Sequence, residues 1–553
     1  MKKIALLLTI GLVGVLSSCD FSFRPPVVSS AQSSSASATP TSVESASVPS
    51  VSISIAEEGD GYYRPATVNE QVDFQILGNH DGDHLLKSTG TPKLLVLPIE
   101  FTGHSFSASR LADIETAIAG TADETNYWQS LKSYYKTSSF GALDMEFEFA
   151  DPYRINYTPQ AWVSHYRNQT FTSNELEIAY GDYPEAMPQL ALEGAVKQYK
   201  DRGGDTSQFD NDGDGVIDAC LMIYACKDKK KDISFSTSSY GDLFWAYQFS
   251  DMRDISPNVE SPDAIRYFWA SYDFFYEGIR EGSGVDCHTL IHELGHILGA
   301  DDYYNYGSGR DDKAEPSGGL MMMSHNIGDH DPFTKLSYSW VRPYVVTGDC
   351  TLVLRPGESS GDCVLLADHW NGTAFDEYVI LELYTPTGLN WLDADTTYAS
   401  TRMFTKAGVR MYHVDARLAY GEDWDSNDRF MGEGYLSDEE TADFTATSQR
   451  YIKAGKYILP AATNSATYDA TFIQGKGYEL IQIIQANKVN STRRGNFSTN
   501  ADLFQTGDSF DLASYSVFFP EGSTLNNGEA LPYSISFDQV NSESATLTFK
   551  KTA

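Results

Sequence analysis

The stretch HELGHILGADDYY, which runs from His292 to Tyr304, constrains the fold of this chain more than any other part of it. His292 and His296 are four residues apart, so on a helix their imidazoles project from one face and can approach one metal ion. Gly299 is suited to end that helix and reverse the chain, because glycine adopts left-handed backbone conformations without strain. Apolar residues cover the opposite face at helical spacing, namely Leu290, Ile291, Leu294, Ile297 and Leu298. The sequence therefore predicts that residues 286–299 form a metal-binding helix that ends in a sharp bend.

The third metal ligand has to come from the chain after the bend. Asp302 follows His296 by six residues, and we expect it to join the two histidines in binding Zn²⁺. Asp301 is a rival on the same bend, and Glu315 is a more distant one in a stretch whose Asp, Pro and Gly content does not favour a helix. His288, one turn before the first histidine, is expected to be a surface or supporting histidine rather than a ligand.

The glutamate between the two histidines indicates hydrolytic chemistry. Glu293 points sideways from the imidazoles, where it can meet a water molecule bound to the metal. Zinc lowers the pKa of such a water to about 7. Glu293 would then accept its proton as a general base and pass it to the leaving amine. Tyr303 or Tyr304 is a candidate donor to the oxyanion, with packing alone as the alternative. His330 is a candidate to line the cleft, with a second ion site as the alternative.

A run of methionines follows the metal motif. The layout His-Glu-x-x-His-x-x-Gly-x-x-Asp is that of the metzincin peptidases, with Asp in place of the usual third histidine. Metzincins carry a methionine turn beneath the metal, and Met322 or Met323 is expected to form its base.

The stretch FDNDGDGVID places acidic residues at alternate positions. Asp210, Asp212 and Asp214 are followed by a glycine turn and then by Asp218, as in the first half of a calcium-binding loop. The twelfth position is Leu221, where an EF-hand requires a bidentate glutamate, so the stretch is not an EF-hand. We expect a Ca²⁺ loop that leads into a strand, with an acidic β-turn as the alternative.

Several motifs together resemble the immune inhibitor A-like secreted metallopeptidases of bacteria. The resemblance extends over roughly residues 90 to 550, and the metal motif and GGLMMMSHNIGDHDPFTKLSYSW are its specific parts. It implies zinc endopeptidase activity, a metzincin-like catalytic domain, structural calcium and β-rich C-terminal modules. The matching metal and base positions are His292, Glu293, His296 and Asp302, and the matching acidic loop is Asp210, Asp212, Asp214 and Asp218. One departure is that the expected Leu-Asp-Met-Met-Asp is replaced by residues 320–324, LMMMS, which lack both acids.

The N-terminus carries export signals. Residues 1–18 combine two lysines with a short apolar run and precede Cys19, which fits a lipoprotein signal peptide whose cysteine becomes acylated. Residues 19–60 are Ser-rich and are expected to form a flexible tether. Residues 61–90 are expected to be an N-terminal extension or a pro-segment. His80 and His84 within it are expected to be solvent-exposed loop histidines, with capping of the zinc in a latent form as the alternative.

The remainder of the chain predicts an α+β fold. Residues 91–345 are expected to form the metzincin-like zinc peptidase domain, which begins with the buried-strand pattern KLLVLPIEF. Residues 346–553 are expected to form a β-rich, sandwich-like region. Its predicted strands are CTLVLRP, EYVILELY, GVRMYHVDARL, YELIQIIQ, YSISFDQV and SATLTFK. Five cysteines remain besides Cys19, and either Cys350 with Cys363 or Cys220 with Cys226 could form a disulfide.

Charge and motifs together favour one function over its alternatives. A formal net charge of −36 argues against nucleic acid or an anionic membrane surface as a partner, and it suits hard cations such as Ca²⁺. We expect a zinc metalloendopeptidase with a polypeptide substrate, located outside the bacterial cell and attached to the membrane only through lipid on Cys19. The alternatives are a surface adhesin or glycan-binding lipoprotein with an inactive peptidase domain, and a mucinase-like peptidase directed at glycoproteins. The intact Glu293 argues against inactivity, and no oligomeric state follows from the sequence.

Overall fold

The structure is a computed structural model that describes most of the chain beyond residue 52. The described residues are 53–70, 86–166, 170–173, 176–179, 186–228, 244–250, 256–305, 314–424, 430–444, 457–465 and 478–552. The signal peptide, Cys19, His80 and His84 lie outside them. Within the described part, no helix combines the length and the apolar character that spanning a bilayer requires.

The helices are mostly short, and the metal motif lies on one of them. They are α1 (Ala108–Ala119), α2 (Ala122–Thr125), α3 (Leu131–Ser138), α4 (Pro159–Tyr166), α5 (Ala186–Asp201), α6 (His288–Ile297), α7 (Met322–His325), α8 (Pro332–Ser337), α9 (Gly357–Ser360), α10 (Trp391–Asp395) and α11 (Asp438–Ala442).

The strands make up several separate sheets. They are β1 (Ile55–Gly59), β2 (Tyr62–Pro65), β3 (Lys93–Phe101), β4 (Glu146–Phe149), β5 (Tyr153–Ile155), β6 (Thr170–Ser173), β7 (Leu176–Ala179), β8 (Val216–Ile217), β9 (Cys220–Tyr224), β10 (Tyr247–Ser250), β11 (Asp263–Ala264), β12 (Arg266–Ser271), β13 (Tyr344–Val346), β14 (Cys350–Leu354), β15 (Cys363–Leu366), β16 (Glu377–Tyr384), β17 (Gly408–Asp415), β18 (Leu418–Trp424), β19 (Phe430–Tyr435), β20 (Tyr457–Pro460), β21 (Ile481–Ile483), β22 (Ser509–Asp511), β23 (Tyr533–Val540) and β24 (Ala545–Lys551).

The three largest sheets set the architecture. A six-stranded sheet has the order β10-β12-β9-β3-β4, with β5 also paired to β3, and only β10 runs antiparallel to its neighbour. A seven-stranded sheet has the order β1-β2-β13-β15-β16-β17-β21, and a four-stranded sheet has the order β14-β24-β23-β22. The chain is therefore a mixed α/β protein with several sheets, about 25% helix and 28% strand. The predicted α+β class is confirmed at that level, and its metzincin character stays a prediction.

The strands predicted from sequence are present, and burial on both faces explains their apolar pattern. KLLVLPIEF is β3 and EYVILELY is β16, with the predicted bounds, and the other C-terminal segments each contain a strand. Along β16, Tyr378 and Ile380 belong to the buried cluster that surrounds α6, whereas Val379 and Leu381 belong to the cluster shared with the four-stranded sheet. Because side chains alternate along a strand, one continuous apolar run can serve two cores.

The sheets and helices are arranged in layers. The buried cluster on one face of the six-stranded sheet includes α5, and the cluster on its other face includes α1, α3, α6 and the methionine segment. That second cluster continues to the seven-stranded sheet, which the four-stranded sheet covers on its far side. Helix α6 therefore lies between two sheets. The residues that pack around it come both from the predicted peptidase domain, residues 91–345, and from the predicted C-terminal region, residues 346–553.

The described part of the N-terminal extension belongs to the fold. Tyr62 and Tyr63 of β2 pair with Val346 and Val345 of β13, so residues 55–65 extend the seven-stranded sheet. The prediction of a flexible tether over residues 19–60 is therefore wrong for residues 55–59, which form β1 because their backbone pairs with β2. Farther along, the indole N–H of Trp340 donates a hydrogen bond to the carbonyl of Ser88 at 2.7 Å. The predicted inhibitory role of residues 61–90 stays a prediction.

Candidate metal centre

The metal motif folds as the spacing predicts. Helix α6 spans residues 288–297, slightly less than the predicted 286–299, and every residue in it is buried. The backbone φ of Gly299 is +105°, a conformation that residues other than glycine rarely adopt. The amide of Ala300 returns to the carbonyl of Gly295 at 3.0 Å, so the chain turns back towards the helix directly after its end.

Three side chains converge at the end of this turn. The Nε2 atoms of His292 and His296 are 3.1 Å apart, and Oδ1 of Asp302 lies 3.1 Å from the first and 3.3 Å from the second. Zinc–nitrogen bonds of about 2.0–2.1 Å in a tetrahedral site separate the ligand atoms by about 3.3–3.4 Å. The triangle therefore fits one ion of that size, and two imidazoles with one carboxylate are donors that zinc accepts.

The far side of each imidazole is anchored to a carbonyl. Nδ1 of His292 contacts the Met322 carbonyl oxygen at 2.9 Å, and Nδ1 of His296 contacts the Ala300 carbonyl oxygen at 2.9 Å. An Nδ1–H that donates to a carbonyl leaves the Nε2 lone pair free for a metal and fixes the plane of the ring. Both histidines are thus oriented towards the same point.

The electrostatics of the three ligands favour a positive charge between them. The Asp302 carboxylate raises the pKa of His296 to about 9, although burial opposes that rise. Burial likewise disfavours the charged form of Asp302, but the two histidines outweigh it and lower the pKa of its carboxyl. A metal ion that binds here takes the place of a proton, so its binding is expected to release one.

The structure separates the three candidates for the third ligand. Asp302 is 2% exposed and points between the histidines. The Asp301 carboxylate instead accepts hydrogen bonds from the Asp302 amide at 2.8 Å and from Thr463 Oγ1 at 3.0 Å. Glu315 Oε2 lies 3.6 Å from Nε2 of His325 and is not part of the cluster.

Glu293 lies beside the cluster without joining it. Its carboxylate accepts a hydrogen bond from the backbone of Gln248, on strand β10. Its Oε2 atom is buried and has no hydrogen-bond partner among the described residues. Burial raises the pKa of this carboxyl, while the two histidines oppose the rise. A carboxylate with one unsatisfied oxygen near the three ligands is in position to accept a proton.

The predicted methionine turn lies beneath helix α6. Met321, Met322 and Met323 are all fully buried, and the carbonyl of Met322 is the acceptor that orients His292. A Cβ atom built on Gly295 would come within 2.5 Å of the Met323 sulfur. The glycine inside the HELGH motif is therefore explained by the close approach of this methionine to the helix.

The three candidate cleft residues have different surroundings. Tyr303 is buried and its hydroxyl is 2.9 Å from Thr334 Oγ1, which directs it away from the metal ligands. The Tyr304 ring is half-buried, with its centroid 6.4 Å from that of His292. His330 is 1% exposed among four aromatic rings, so it lies in the core behind α6 and not on a cleft. Tyr304 is the one of the three that can face a bound substrate.

His288 is not the surface histidine that the sequence allowed, and it is not a metal ligand. It is fully buried, with Nδ1 2.6 Å from Asp286 and Nε2 3.2 Å from Asp393. Its ring stacks between Trp128 and Tyr398, with centroids 4.1 Å away on each side. Burial alone would lower the pKa of His288, but the two carboxylates raise it to about 10. The charged imidazole thus ties the start of α6 to α10.

This arrangement predicts a pH-dependent contribution to stability. Because the folded pKa is above the unfolded value of about 6.5, the contribution is complete below that pH and is lost as the pH rises through about 10. The difference in unfolding free energy between wild type and His288→Gln is expected to shrink by on the order of 4 kcal/mol between pH 6 and pH 10. Denaturant unfolding at several pH values measures it. His369→Gln, at an exposed histidine, is the control, and a difference independent of pH at position 288 would contradict the prediction.

The acidic loop brings together three of its four predicted ligands. Asp210, Asp212 and Asp218 each place one carboxylate oxygen within 4.8 Å of the others. The Asp214 side chain is not in this group, and its Oδ1 accepts a hydrogen bond from the Val216 amide at 2.8 Å. Oδ1 of Asp218 is buried and has no hydrogen-bond partner among the described residues. Burial is also the main reason that the pKa of Asp218 rises to about 7.

Several residues that support the site were not identified from the sequence. Hydroxyl groups of Tyr135 and Tyr338 donate to the carbonyls of Ile291 and Gly295, at 2.6 and 2.7 Å, and so hold the carbonyls that precede His292 and His296. Thr463 and Asn464 contact the bend that carries Asp302. No local sequence pattern marks any of them, because each comes from a distant part of the chain. None of the five described cysteines forms a disulfide.

The comparisons with known proteins add no relative. No protein-family model matches the chain, and no curated protein is similar enough to count as a match. The fold and the site together define a mixed α/β protein with a buried His–His–Asp cluster. The function of the protein is inferred from the chemistry of those residues.

Proposed function

We propose that the protein is a zinc-dependent endopeptidase. The observation that carries this proposal is the triangle formed by Nε2 of His292, Nε2 of His296 and Oδ1 of Asp302, with the Glu293 carboxylate beside it. Three protein ligands leave the fourth position of a tetrahedral ion open, which is typical of catalytic zinc, whereas structural zinc has four. The same four residues are those implied by the resemblance to immune inhibitor A-like peptidases.

The chain's own residues supply the remaining functions of the site. A bound zinc ion supplies Lewis acidity and lowers the pKa of a coordinated water. Glu293 accepts the proton at Oε2, the oxygen that has no hydrogen-bond partner among the described residues, and returns it to the amine that leaves. Tyr304, whose ring centroid lies 6.4 Å from that of His292, is the candidate donor to the oxyanion.

The sheet next to the site supports a polypeptide substrate. Among the described residues, β10 is the edge strand of the six-stranded sheet, and its Gln248 contacts Glu293. An edge strand has backbone donors and acceptors that an extended peptide can pair with. A peptide bound along β10 would place a scissile carbonyl near Glu293 and the metal ligands.

The test of this function is metal-dependent cleavage of an unfolded protein. We expect purified protein to contain one zinc per chain by elemental analysis and to cut a reduced, alkylated protein into peptides. Removing the metal with 1,10-phenanthroline should abolish cleavage, and added Zn²⁺ should restore it. Zinc-replete protein that cleaves nothing but binds glycans would favour the adhesin alternative, and cleavage that survives complete zinc removal would contradict the proposal.

We also propose that the protein acts outside the cell, held by lipid on Cys19. The support is the N-terminal sequence, in which a short apolar run precedes the cysteine and a Ser-rich stretch follows it.

The acidic loop is proposed to bind Ca²⁺. Asp210, Asp212 and Asp218 supply the hard oxygen ligands that calcium prefers, and the buried, unpartnered Oδ1 of Asp218 fits a cation at that point. Calcium at about 100 times its Kd should stabilise the folded chain by about 2.7 kcal/mol. Thermal unfolding with and without CaCl₂ measures this effect. Asp218→Asn should abolish it, and an equal shift in that variant would contradict the proposed site.

A further inference from the structure

The bend that carries Asp302 contacts a segment from the C-terminal region. This 461–465 segment directly follows β20, and its Thr463, Asn464 and Ser465 are each 2–3% exposed. Its side chains contact Asp301 and Tyr303 through hydrogen bonds. Those two residues are the immediate neighbours of the third metal ligand.

Asn464 joins the bend to the seven-stranded sheet. Its Nδ2 donates to the Tyr303 carbonyl at 3.0 Å and to the Ile481 carbonyl at 2.8 Å, and its Oδ1 accepts from the Ile481 amide at 3.1 Å. Ile481 lies on β21, which pairs with β17. Both amide hydrogens and one lone pair of the buried side chain are therefore used to connect a strand of the sheet with the residue after Asp302.

Thr463 holds the residue before Asp302. Its hydroxyl donates to the Asp301 carboxylate, whose other oxygen accepts from the amide of Asp302. This keeps the Asp301 side chain turned away from the histidines. The Tyr303 amide donates to the Met323 carbonyl at 2.8 Å, so the backbone around Asp302 is fixed on both sides.

Such anchoring matters because Asp302 lies outside any helix or strand. A metal ligand has to be held within about 0.5 Å of its working position by the residues around it. The histidines obtain this precision from helix α6, whereas Asp302 can obtain it only from contacts to its bend. Loss of the Asn464 amide would leave the carbonyls of Tyr303 and Ile481 buried without a partner and would loosen the ligand.

We propose that Asn464 and Thr463 are positioning residues of the metal site. They hold Asp302 in place, so zinc affinity depends on the 461–465 segment and the C-terminal region is an integral part of the peptidase. This inference rests on the proposed zinc site, and it adds that two residues which touch neither metal nor substrate determine how tightly the ion is bound.

The test measures zinc affinity in the full chain by competition with a chelating indicator. Asn464→Ala is expected to weaken zinc binding by about 10- to 100-fold, the range for residues that orient metal ligands. The matched control is Asn371→Ala, because Asn371 is also buried and also makes three side-chain hydrogen bonds, but to Phe375 and Thr373 in a loop of its own. Its zinc affinity should stay within twofold of wild type.

A second pair of variants removes less of the structure. Thr463→Val keeps the shape of the side chain but cannot donate to Asp301, and it should weaken zinc binding by about 3- to 10-fold. Thr463→Ser keeps the hydroxyl and should stay within twofold of wild type. This pair decides the question if Asn464→Ala does not fold.

The outcomes distinguish the inference from the proposed function. Folded Asn464→Ala with wild-type zinc affinity would overturn the inference, and so would an equal loss in Asn371→Ala or equal behaviour of the two Thr463 variants. If the wild-type chain itself binds no zinc, the proposed function fails and the inference fails with it.

Discussion

Glu293→Gln is expected to reduce the kcat for peptide hydrolysis by about 10²- to 10⁴-fold, the contribution of a positioned general base. Glutamine has nearly the same shape as glutamate but cannot accept the proton at the position of Oε2. Glu293 is not one of the three clustered residues, so one zinc per chain should stay bound in the variant. Cleavage kinetics with a fluorogenic peptide and elemental analysis of the same sample measure both effects.

The matched control is Glu315→Gln. Glu315 pairs with His325 and not with the metal ligands, so this variant should keep zinc and lose at most a few-fold in kcat. Full activity in Glu293→Gln would show that another group accepts the proton. Loss of zinc from that variant would mean that Glu293 is a ligand.

Asp302→Ala is expected to lose zinc, with an affinity more than about 100-fold below wild type. The loss should exceed the 10- to 100-fold cost of removing a residue that only orients a ligand. The physical reason is that two imidazoles alone lack the negative charge that Asp302 places 3.1–3.3 Å from both Nε2 atoms. Indicator competition on the purified variant gives the affinity.

Asp301→Asn tests the choice between the neighbouring aspartates. The Oδ1 atom of asparagine can still accept from the Asp302 amide, and its Nδ2 can donate to the hydroxyl oxygen of Thr463, so we expect less than about a tenfold loss of affinity. If Asp301→Asn lost as much zinc affinity as Asp302→Ala, or more, Asp301 and not Asp302 would be the third ligand.

Much of the fold was predictable because strand burial leaves a local pattern. β3 and β16 have the predicted bounds, since each is an apolar run that fills a core on both faces. The metal helix was predictable for a similar reason, because the spacing of its histidines and the glycine at its end are local properties. In the acidic loop, three of the four predicted side chains lie together, and alternation alone does not reveal that Asp214 turns to the Val216 amide. Its binding of Ca²⁺ stays a prediction.

Other parts of the prediction depended on distant contacts. His330 was expected at a cleft and lies among aromatic rings in the core, two of which, Tyr134 and Tyr135, come from a distant part of the chain. His288 was expected at the surface or in a supporting place, and it is buried by Trp128, Tyr398 and Asp393 as well as paired with the neighbouring Asp286. The distant partners could not be identified from neighbouring residues.

The sequence by itself determined which residue types can meet at the proposed metal site. A helix with histidines four residues apart and a glycine bend brings the residues just after that bend back to the same point, and spacing favoured Asp302 among them. Only the tertiary structure shows the Asp302 carboxylate between the two histidines and the Asp301 carboxylate held by Thr463, because the folded sheet brings Thr463 from far along the chain. Local backbone geometry thus set the candidates, and long-range packing selected one of them.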